Sequence, residues 1–310
     1  MSKIMIAAVA GATASGKTAL AIELAKRCDG EIVSADSMQI YKYMDIGTAK
    51  PTARERAEAV HHLIDFVELS EPFSAADYAA LAHERIADIA ARGKLPIICG
   101  GTGLYVNSVI DDVKFAETER DGEYRAELFA IAEKEGNARL HDMLRAVDPK
   151  SADAIHENNV KRVVRALEFY SQTGTRLSEH KAAAEHDSRY APIMFAPDWD
   201  RALLYERVNR RVDIMLESGL VGEVKALREM GLTRDMQSMQ GIGYKEIFDY
   251  LDGGKTLSEA AEEIKLASRR YAKRQLTWFR RDKRIHWLAA GGDMARRAEE
   301  IVNNARSGNI

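Results

Sequence analysis

Short apolar runs alternate with helically patterned, charged segments along this chain. Ile4-Met5-Ile6-Ala7-Ala8-Val9-Ala10 is apolar throughout, the pattern of a strand buried on both faces of a parallel sheet. Ala19 to Cys28 then places Leu20, Ala21, Leu24 and Ala25 at helical spacing. Glu31-Ile32-Val33-Ser34-Ala35 and Leu95-Pro96-Ile97-Ile98-Cys99 read as further strands. Between them Ser74 to Arg92 predicts a helix, with Ser74 as N-cap, an apolar stripe of Tyr78, Leu81, Ile86 and Ile89, and Gly93 as its stop. Pro192-Ile193-Met194-Phe195-Ala196 predicts the last core strand, and His286-Trp287-Leu288 a short edge strand. A long amphipathic helix from Arg201 turns Val208, Val212, Met215 and Leu216 inward, with Arg207 and Arg211 one turn apart, and Gly219 is its expected break. Strands alternating with helices predict an α/β core around a parallel sheet.

The pattern changes from about Phe115 to Tyr190, where no strand is expected. Charged helices are predicted at Glu119 to Glu135, Arg139 to Val147 and Val160 to Gln172, and a polar loop from His180 to Tyr190. The expected organisation is therefore a core of residues 1–114 and 191–310 with an all-helical insertion at 115–190. Lys161, Arg162 and Arg165 share one face of the third insertion helix, which suits either a solvated face or an anionic partner.

Composition narrows the class. With 46% hydrophobic and 30% charged residues in 310 positions, a sizeable core is affordable, and a formal charge of −3 excludes a uniformly basic nucleic-acid binder. Two cysteines, Cys28 and Cys99, make no disulfide framework, and Cys99 reads as a small buried hydrophobe. No Cys/His spacing suits zinc, and no apolar run approaches the length of a membrane span, so a cytoplasmic protein is expected. His61-His62 reads as a solvated or hydrogen-bonded pair, because neighbouring side chains point to different sides of a regular element.

The chemistry enters at Gly11-Ala12-Thr13-Ala14-Ser15-Gly16-Lys17-Thr18, a G-x-x-x-x-G-K-[ST] loop between the first strand and the first helix. In that context backbone N–H groups and a helix N-terminus cradle a di- or triphosphate, Lys17 adds a full charge, and the Thr18 hydroxyl is placed to hold Mg²⁺. Taken alone the loop predicts ATP binding. Asp36-Ser37 ends the second strand, at the edge of a parallel sheet where ligands bind, and Asp36 is either functional or a cap. Ser37 to Lys42 and Gly47 to Pro51 read as a loop rimming that crevice. Gly100-Gly101-Thr102-Gly103 predicts a turn bringing backbone near a ligand, or a tight turn alone. A strand ending in glycine where a motor ATPase presents an aspartate argues against an ATP-hydrolysing machine. Gly241-Ile242-Gly243-Tyr244-Lys245 suits a helix start or a nucleotide contact.

Lys265 to Arg284 holds nine basic residues, Lys265, Arg269, Arg270, Lys273, Arg274, Arg280, Arg281, Lys283 and Arg284, against the single acid Asp282. On a continuous helix all nine fall in one half of the wheel, opposite Ala267, Tyr271, Ala272, Trp278 and Phe279. A polyanion-binding face is the expectation. Cradle and basic face together leave three functions open: a transferase acting on nucleic acid, a small-molecule kinase, and a nucleotide-switched RNA-binding module.

The phosphate loop, Asp36 to Lys42 with Met44 to Pro51, Gly100 to Tyr105, Lys161 to Glu168, Gly241 to Lys245 and Lys273 to Arg280 together resemble the bacterial tRNA dimethylallyltransferase (isopentenyltransferase) family, in the family's order. The resemblance implies a P-loop NTPase-like parallel sheet core with an inserted all-helical domain, and a monomer. It implies transfer of a dimethylallyl group from dimethylallyl diphosphate to the exocyclic amine of the adenosine on the 3′ side of the tRNA anticodon. Lys17, Arg211 and Mg²⁺ on Thr18 would then neutralise the departing diphosphate held by residues Gly11 to Thr18. Asp36 would take the amine proton, with Thr102 near the reacting carbon and Gln39 on the adenine edge. Ser37, Met38, Lys161, Arg162, Arg165, Gly241, Gly243, Tyr244, Lys245, Lys273, Arg274, Gln275 and Arg280 are the implied tRNA contacts. The chain departs from the family at Ala12, where many members have proline, at Met38, where some have arginine, and at Tyr43, where glycine is common.

Overall fold

The computed structural model describes residues 3–115, 122–179 and 188–308. By its internal contacts the chain divides into two compact units, residues 1–112 with 188–310, and residues 113–187.

The first unit is built on a six-stranded parallel sheet among the described residues: β1 (Ile4–Ala10), β2 (Gly30–Ser34), β3 (His61–His62), β4 (Leu95–Gly100), β5 (Tyr190–Asp198) and β6 (Ile285–Ala289). Their order is β3-β2-β4-β1-β5-β6. Central β1 sets Ala7 opposite Ile97 of β4 and Ile193 of β5. Alternation along the buried strands feeds two cores. Ala7 and Val9 join Ile32, Ile97 and Phe195 beneath α1 (Lys17–Cys28) and the C-terminal helix Met294–Arg306. Ile6 and Ala8 join Val33, Ile98 and Met194 on the other face, where α2 (Ala53–Glu58) takes no part and α3 (Ala75–Ala91) and α4 (Gly103–Ile110) do. Ser74 caps α3 in a reciprocal capping box with Asp77, so the expected start is real.

Pro192–Ala196 lies within β5, and the expected short edge strand at His286–Leu288 is β6, paired beyond it. The two-residue β3 at His61–His62 was not expected; its partners are separate, Ala59 O for His61 Nδ1 and Glu31 Oε2 for His62 Nε2, each at 2.8 Å. Among the described residues no helix is long and apolar enough to cross a membrane.

The second unit holds α5 (Gly122–Glu135), α6 (Asn137–Val147), α7 (Pro149–Ala154) and α8 (Val160–Thr173) around Leu128, Leu140, Leu144, Val163, Val164 and Leu167. Fully buried Glu168 is held by Arg125 at 3.1 Å and lies 3.7 Å from Arg165. The start of the expected helix at Glu119 and most of the loop expected from His180 lie outside the described residues. The first unit continues with α9 (Arg201–Glu217), α10 (Leu220–Glu229), α11 (Tyr244–Leu251), α12 (Leu257–Phe279) and α13 (Met294–Arg306).

Asp148 caps α7 and also accepts from the Ser178 N–H at 3.0 Å and the Ser178 hydroxyl at 2.6 Å. Burial opposes its charge, but these hydrogen bonds outweigh it and hold the carboxyl at about 2, below its ordinary 3.8. The folded value is depressed, so the stabilisation is present above about pH 4 and is lost as pH falls toward 2. Asp148→Asn is expected to lower stability by about 2 kcal/mol at neutral pH and to flatten the acid limb of a denaturant-midpoint profile below pH 4. An unchanged acid limb would contradict this role.

Candidate active site

The carboxyl ends of β1, β2, β4 and β5 converge on one crevice, and Gly11–Thr18 crosses it between β1 and α1. Ala14 and Gly16 adopt left-handed backbone at φ 61° and 89°. The first turn of α1 has no side-chain cap, so its N–H groups and dipole face the crevice. The loop's carbonyls are turned outward and bonded. Ala12 O accepts from Lys17 Nζ at 3.3 Å, Ala14 O from Arg207 Nε at 2.9 Å, and Ser15 O from Trp199 Nε1 at 2.8 Å. The Arg207 guanidinium lies 4.2 Å over the Trp199 ring. Gln275 accepts the Thr13 N–H at 2.8 Å and donates to Gly101 O at 2.9 Å, tying the loop to the turn after β4. Arg211 donates to the Thr13 hydroxyl at 3.2 Å. Within the loop the buried Ser15 hydroxyl has no partner.

Asp36 follows β2. One carboxylate oxygen accepts the N–H of Met38 at 3.0 Å and of Gln39 at 3.4 Å. It lines a cavity of about 330 Å³ with Lys17, Thr18 and Arg211, and the apolar side chains of Val208, Val212, Met215 and Ile264 line the same cavity. A second cavity of about 750 Å³ shares Thr18, Ala49, Arg211 and Met215 with it. Burial lowers the affinity of Lys17 for its proton, Arg211 adds to that, and Asp36 works against it. Burial likewise lowers Arg211, and Asp36 opposes the shift. Burial pushes Tyr271, beside Asp36, up to about 12, and Cys99 behind Lys17 also to about 12. The crevice is thus a cationic cradle facing one carboxylate, with an apolar wall alongside.

Several expected contacts serve the protein itself. Thr102 is not among the cavity-lining residues; its hydroxyl accepts the Ser37 N–H at 3.0 Å, so it fixes the turn beyond Asp36. Both amide hydrogens of Gln39 go to Thr48 O and Ala49 O, each at 3.1 Å, leaving its carboxamide oxygen as the acceptor. The glycine turn packs tightly: a Cβ on Gly100 would strike the Ala35 backbone at 2.1 Å, and one on Gly101 the Gln275 amide at 2.3 Å, while Gly100 also borders a small cavity with Lys17, Thr18 and Asp36. Gln275 is only 5% exposed with its amide committed, so it braces the cradle while also lining the cavity. Gly243 and Tyr244 are buried, while Lys245 is exposed beside Glu246. Gly241 and Tyr244 reach the cavity wall, as do Ser37 and Met38.

Glu223 had no signal in the sequence. Its carboxylate accepts three successive N–H groups, Asp45 at 2.9 Å, Ile46 at 2.7 Å and Gly47 at 3.0 Å, and the Tyr244 hydroxyl at 2.8 Å. It latches the loop that supplies Thr48 and Ala49 to the cavity. Trp199 and Arg207 were missed as cradle residues too, although Arg207 was noted one turn before Arg211.

The nine-residue basic face is corrected. The helix ends at Phe279, so Arg280, Arg281, Lys283 and Arg284 lie beyond it, in the turn that feeds β6. Lys265 pairs with Asp213 at 2.8 Å, Arg284 with Asp111 at 2.7 Å, and Arg269 donates to Asn209 at 2.6 Å. Arg280 lies 3.7 Å from Asp198. Arg270, Lys273, Arg274 and Arg281 are exposed and make no ion pair with a described residue. In the second unit Lys161 and Arg162 are exposed, whereas Arg165 leans toward Glu168.

The chain is similar to known proteins over nearly its whole length. Residues 39–282 match the IPP transferase family. A tRNA dimethylallyltransferase of Acetivibrio thermocellus is 50% identical over 299 residues, covering 96% of this chain and 95% of that protein. The full-length tRNA isopentenylpyrophosphate transferase of Bacillus halodurans superposes with a TM-score of 0.73 at 47% identity, covering 98% of this chain and 96% of that one. A eukaryotic dimethylallyltransferase acting on tRNA superposes with a TM-score of 0.84 at 29% identity, covering 99% of this chain and 80% of that one. The chain belongs to the IPP transferase family.

Proposed function

We propose that this chain is a tRNA dimethylallyltransferase, moving the dimethylallyl group of dimethylallyl diphosphate to the exocyclic amine of the adenosine on the 3′ side of the anticodon. The observation that carries the reading is the pairing of a phosphate cradle with an apolar wall and one facing carboxylate in a single cavity. A kinase acting on a small molecule has no use for the exposed cations Arg270, Lys273, Arg274 and Arg281 around the end of α12.

The diphosphate of the donor lies on the N–H groups of the loop and of α1, with Lys17 and Arg211 beside it. Thr18 borders both cavities, and among the described residues no cluster of three His, Cys, Asp or Glu side chains is grouped to hold a metal. That donor set fits Mg²⁺, which keeps waters and takes its other ligands from phosphate oxygens. Bound there it would supply charge neutralisation.

The amine nitrogen attacks the allylic carbon, a C–N bond forms, the C–O bond to diphosphate breaks, and the amine proton passes to Asp36. An aryl amine is a weak nucleophile, so a positioned base and a stabilised leaving group are where the residues act. The target base would leave its stack to enter the cavity, where the Gln39 oxygen, its amide hydrogens engaged elsewhere, accepts from the amine. Lys161, Arg162 and Arg165 of the helical unit, with Lys245, Lys273, Arg274 and Arg280, supply contacts for the anticodon stem-loop. The protein acts in the cytoplasm as a monomer.

Mass spectrometry of tRNA nucleosides after incubation with dimethylallyl diphosphate and Mg²⁺ is expected to show dimethylallyl adenosine, with negligible ATP hydrolysis with or without RNA. RNA-stimulated ATP turnover without prenyl transfer would sink the reading in favour of a nucleotide-switched module. Asp36→Asn should slow single-turnover transfer by about two to four orders of magnitude while binding of dimethylallyl diphosphate persists; a near-normal rate would place the base elsewhere. Lys17→Ala should abolish transfer, and retained turnover would mean the leaving diphosphate departs without that charge.

A further inference from the structure

The loop at residues 45–50 is held at both ends by charged side chains. In the first turn of α10 the Glu223 carboxylate accepts the N–H groups of Asp45, Ile46 and Gly47 at 2.9, 2.7 and 3.0 Å, and it also accepts the Tyr244 hydroxyl at 2.8 Å. Tyr244 is fully buried and packs so closely on Gly47 that a Cβ there would meet the ring at 2.5 Å. At the other end the Lys50 ammonium, with 1% of its side chain exposed, donates to Tyr41 O at 2.8 Å and lies 2.7 Å from both Asp45 and Asp65.

These anchors fix the peptide planes between them. Asp45 O and Ile46 O accept the N–H groups of Lys50 and Ala49, each at 3.0 Å, and Ala49 adopts left-handed backbone at φ 49°. The turn so formed presents Thr48 O and Ala49 O to the Gln39 amide nitrogen, each at 3.1 Å. A carbonyl oxygen only accepts, so the nitrogen must face this pair, and each of its hydrogens has a partner. Gln39 lines the cavity together with Gly47, Thr48 and Ala49, and what its side chain has left for a base is an acceptor. A free carboxamide turns over and offers either a donor or an acceptor; this one is held in one sense. The exocyclic amine of adenine suits that acceptor. The carbonyl oxygen that hypoxanthine or guanine carries at the same position meets it acceptor to acceptor.

We infer that Glu223 is a positioning residue that sets base discrimination at the target site, holding residues 45–50 so that Gln39 turns its oxygen and not its nitrogen to the entering base. The inference rests on the tRNA reading above. Glu223 is not among the residues lining the cavity, so it acts through the loop and Gln39.

The test compares the affinity of the full chain for two anticodon stem-loop RNAs, identical except for adenosine or inosine at the target position. The wild type should favour adenosine by about 5- to 100-fold, as for one polar group left against an unsuited partner. Glu223→Ala should bring that ratio toward one, while binding of Mg²⁺ and inorganic diphosphate is retained. Glu223→Gln, which keeps the side chain's length and one acceptor oxygen, should give an intermediate ratio. In a Gln39→Leu background Glu223→Ala should move the ratio no further. A merely structural role would weaken both RNAs alike. No preference in the wild type, an unchanged ratio in folded Glu223→Ala, or a further change in the Gln39→Leu background would each overturn the inference. Should Glu223→Ala fail to fold, Gly47→Ala displaces the same loop through the Tyr244 ring and is decided by the same ratio. If the wild type prenylates tRNA and the ratio stays put, the positioning role alone falls. If the ratio moves as expected and no tRNA is prenylated, the transfer reading falls and the positioning role stands.

Discussion

The outward carbonyls of the phosphate loop are the constraint on which the site depends. A loop of this kind binds anions only while its N–H groups converge, and peptide groups that point N–H inward must point C=O outward. Here those carbonyls meet fixed donors: Arg207 for Ala14, Trp199 for Ser15, and the loop's own Lys17 for Ala12. Gln275 accepts the Thr13 N–H and donates to Gly101 O in the turn that follows β4. Each buried bond of this kind contributes on the order of 1 kcal/mol, and leaving its partner unmet costs about 1–3 kcal/mol. The cradle is therefore organised before any diphosphate arrives, and apart from Lys17 the residues that organise it are far from the motif in sequence: Trp199 just before α9, Arg207 in α9 and Gln275 in α12.

The distance explains what could be read from the chain. The apolar runs of β1, β2 and β4 and the capped helix at Ser74 are local patterns, and they stand where expected. The Gly11–Thr18 motif carries its own context of strand and helix. Gln275 looks from sequence like one more polar residue on a basic helix, because its partners are 262 and 174 positions away. Glu223 gives no sign that three N–H groups of another loop end on it. The basic wheel failed for a related reason: a projection assumes an unbroken helix, and the chain leaves it at Phe279 to form β6.

Departures from the family pattern also acquire physical content. Tyr43 sits at φ 65°, backbone that glycine enters without strain. Ala12 is buried in one cluster with Leu204, Val208 and Ala272, so it joins the loop to α9 and α12. Gly100 and Gly101 permit the close approach of the Ala35 backbone and the Gln275 amide. Much of what looks like substrate recognition in the sequence is the scaffold recognising itself.

The most direct test of a cradle organised from α12 is calorimetric titration of Gln275→Ala with Mg²⁺ and inorganic diphosphate, beside the wild type. Gln275 is bonded to the loop backbone and to Gly101. The account predicts affinity reduced about 5- to 100-fold, as for a buried hydrogen bond left unmet, in a variant that still unfolds cooperatively. Unchanged affinity in a folded variant would contradict it, and would mean that the motif shapes itself.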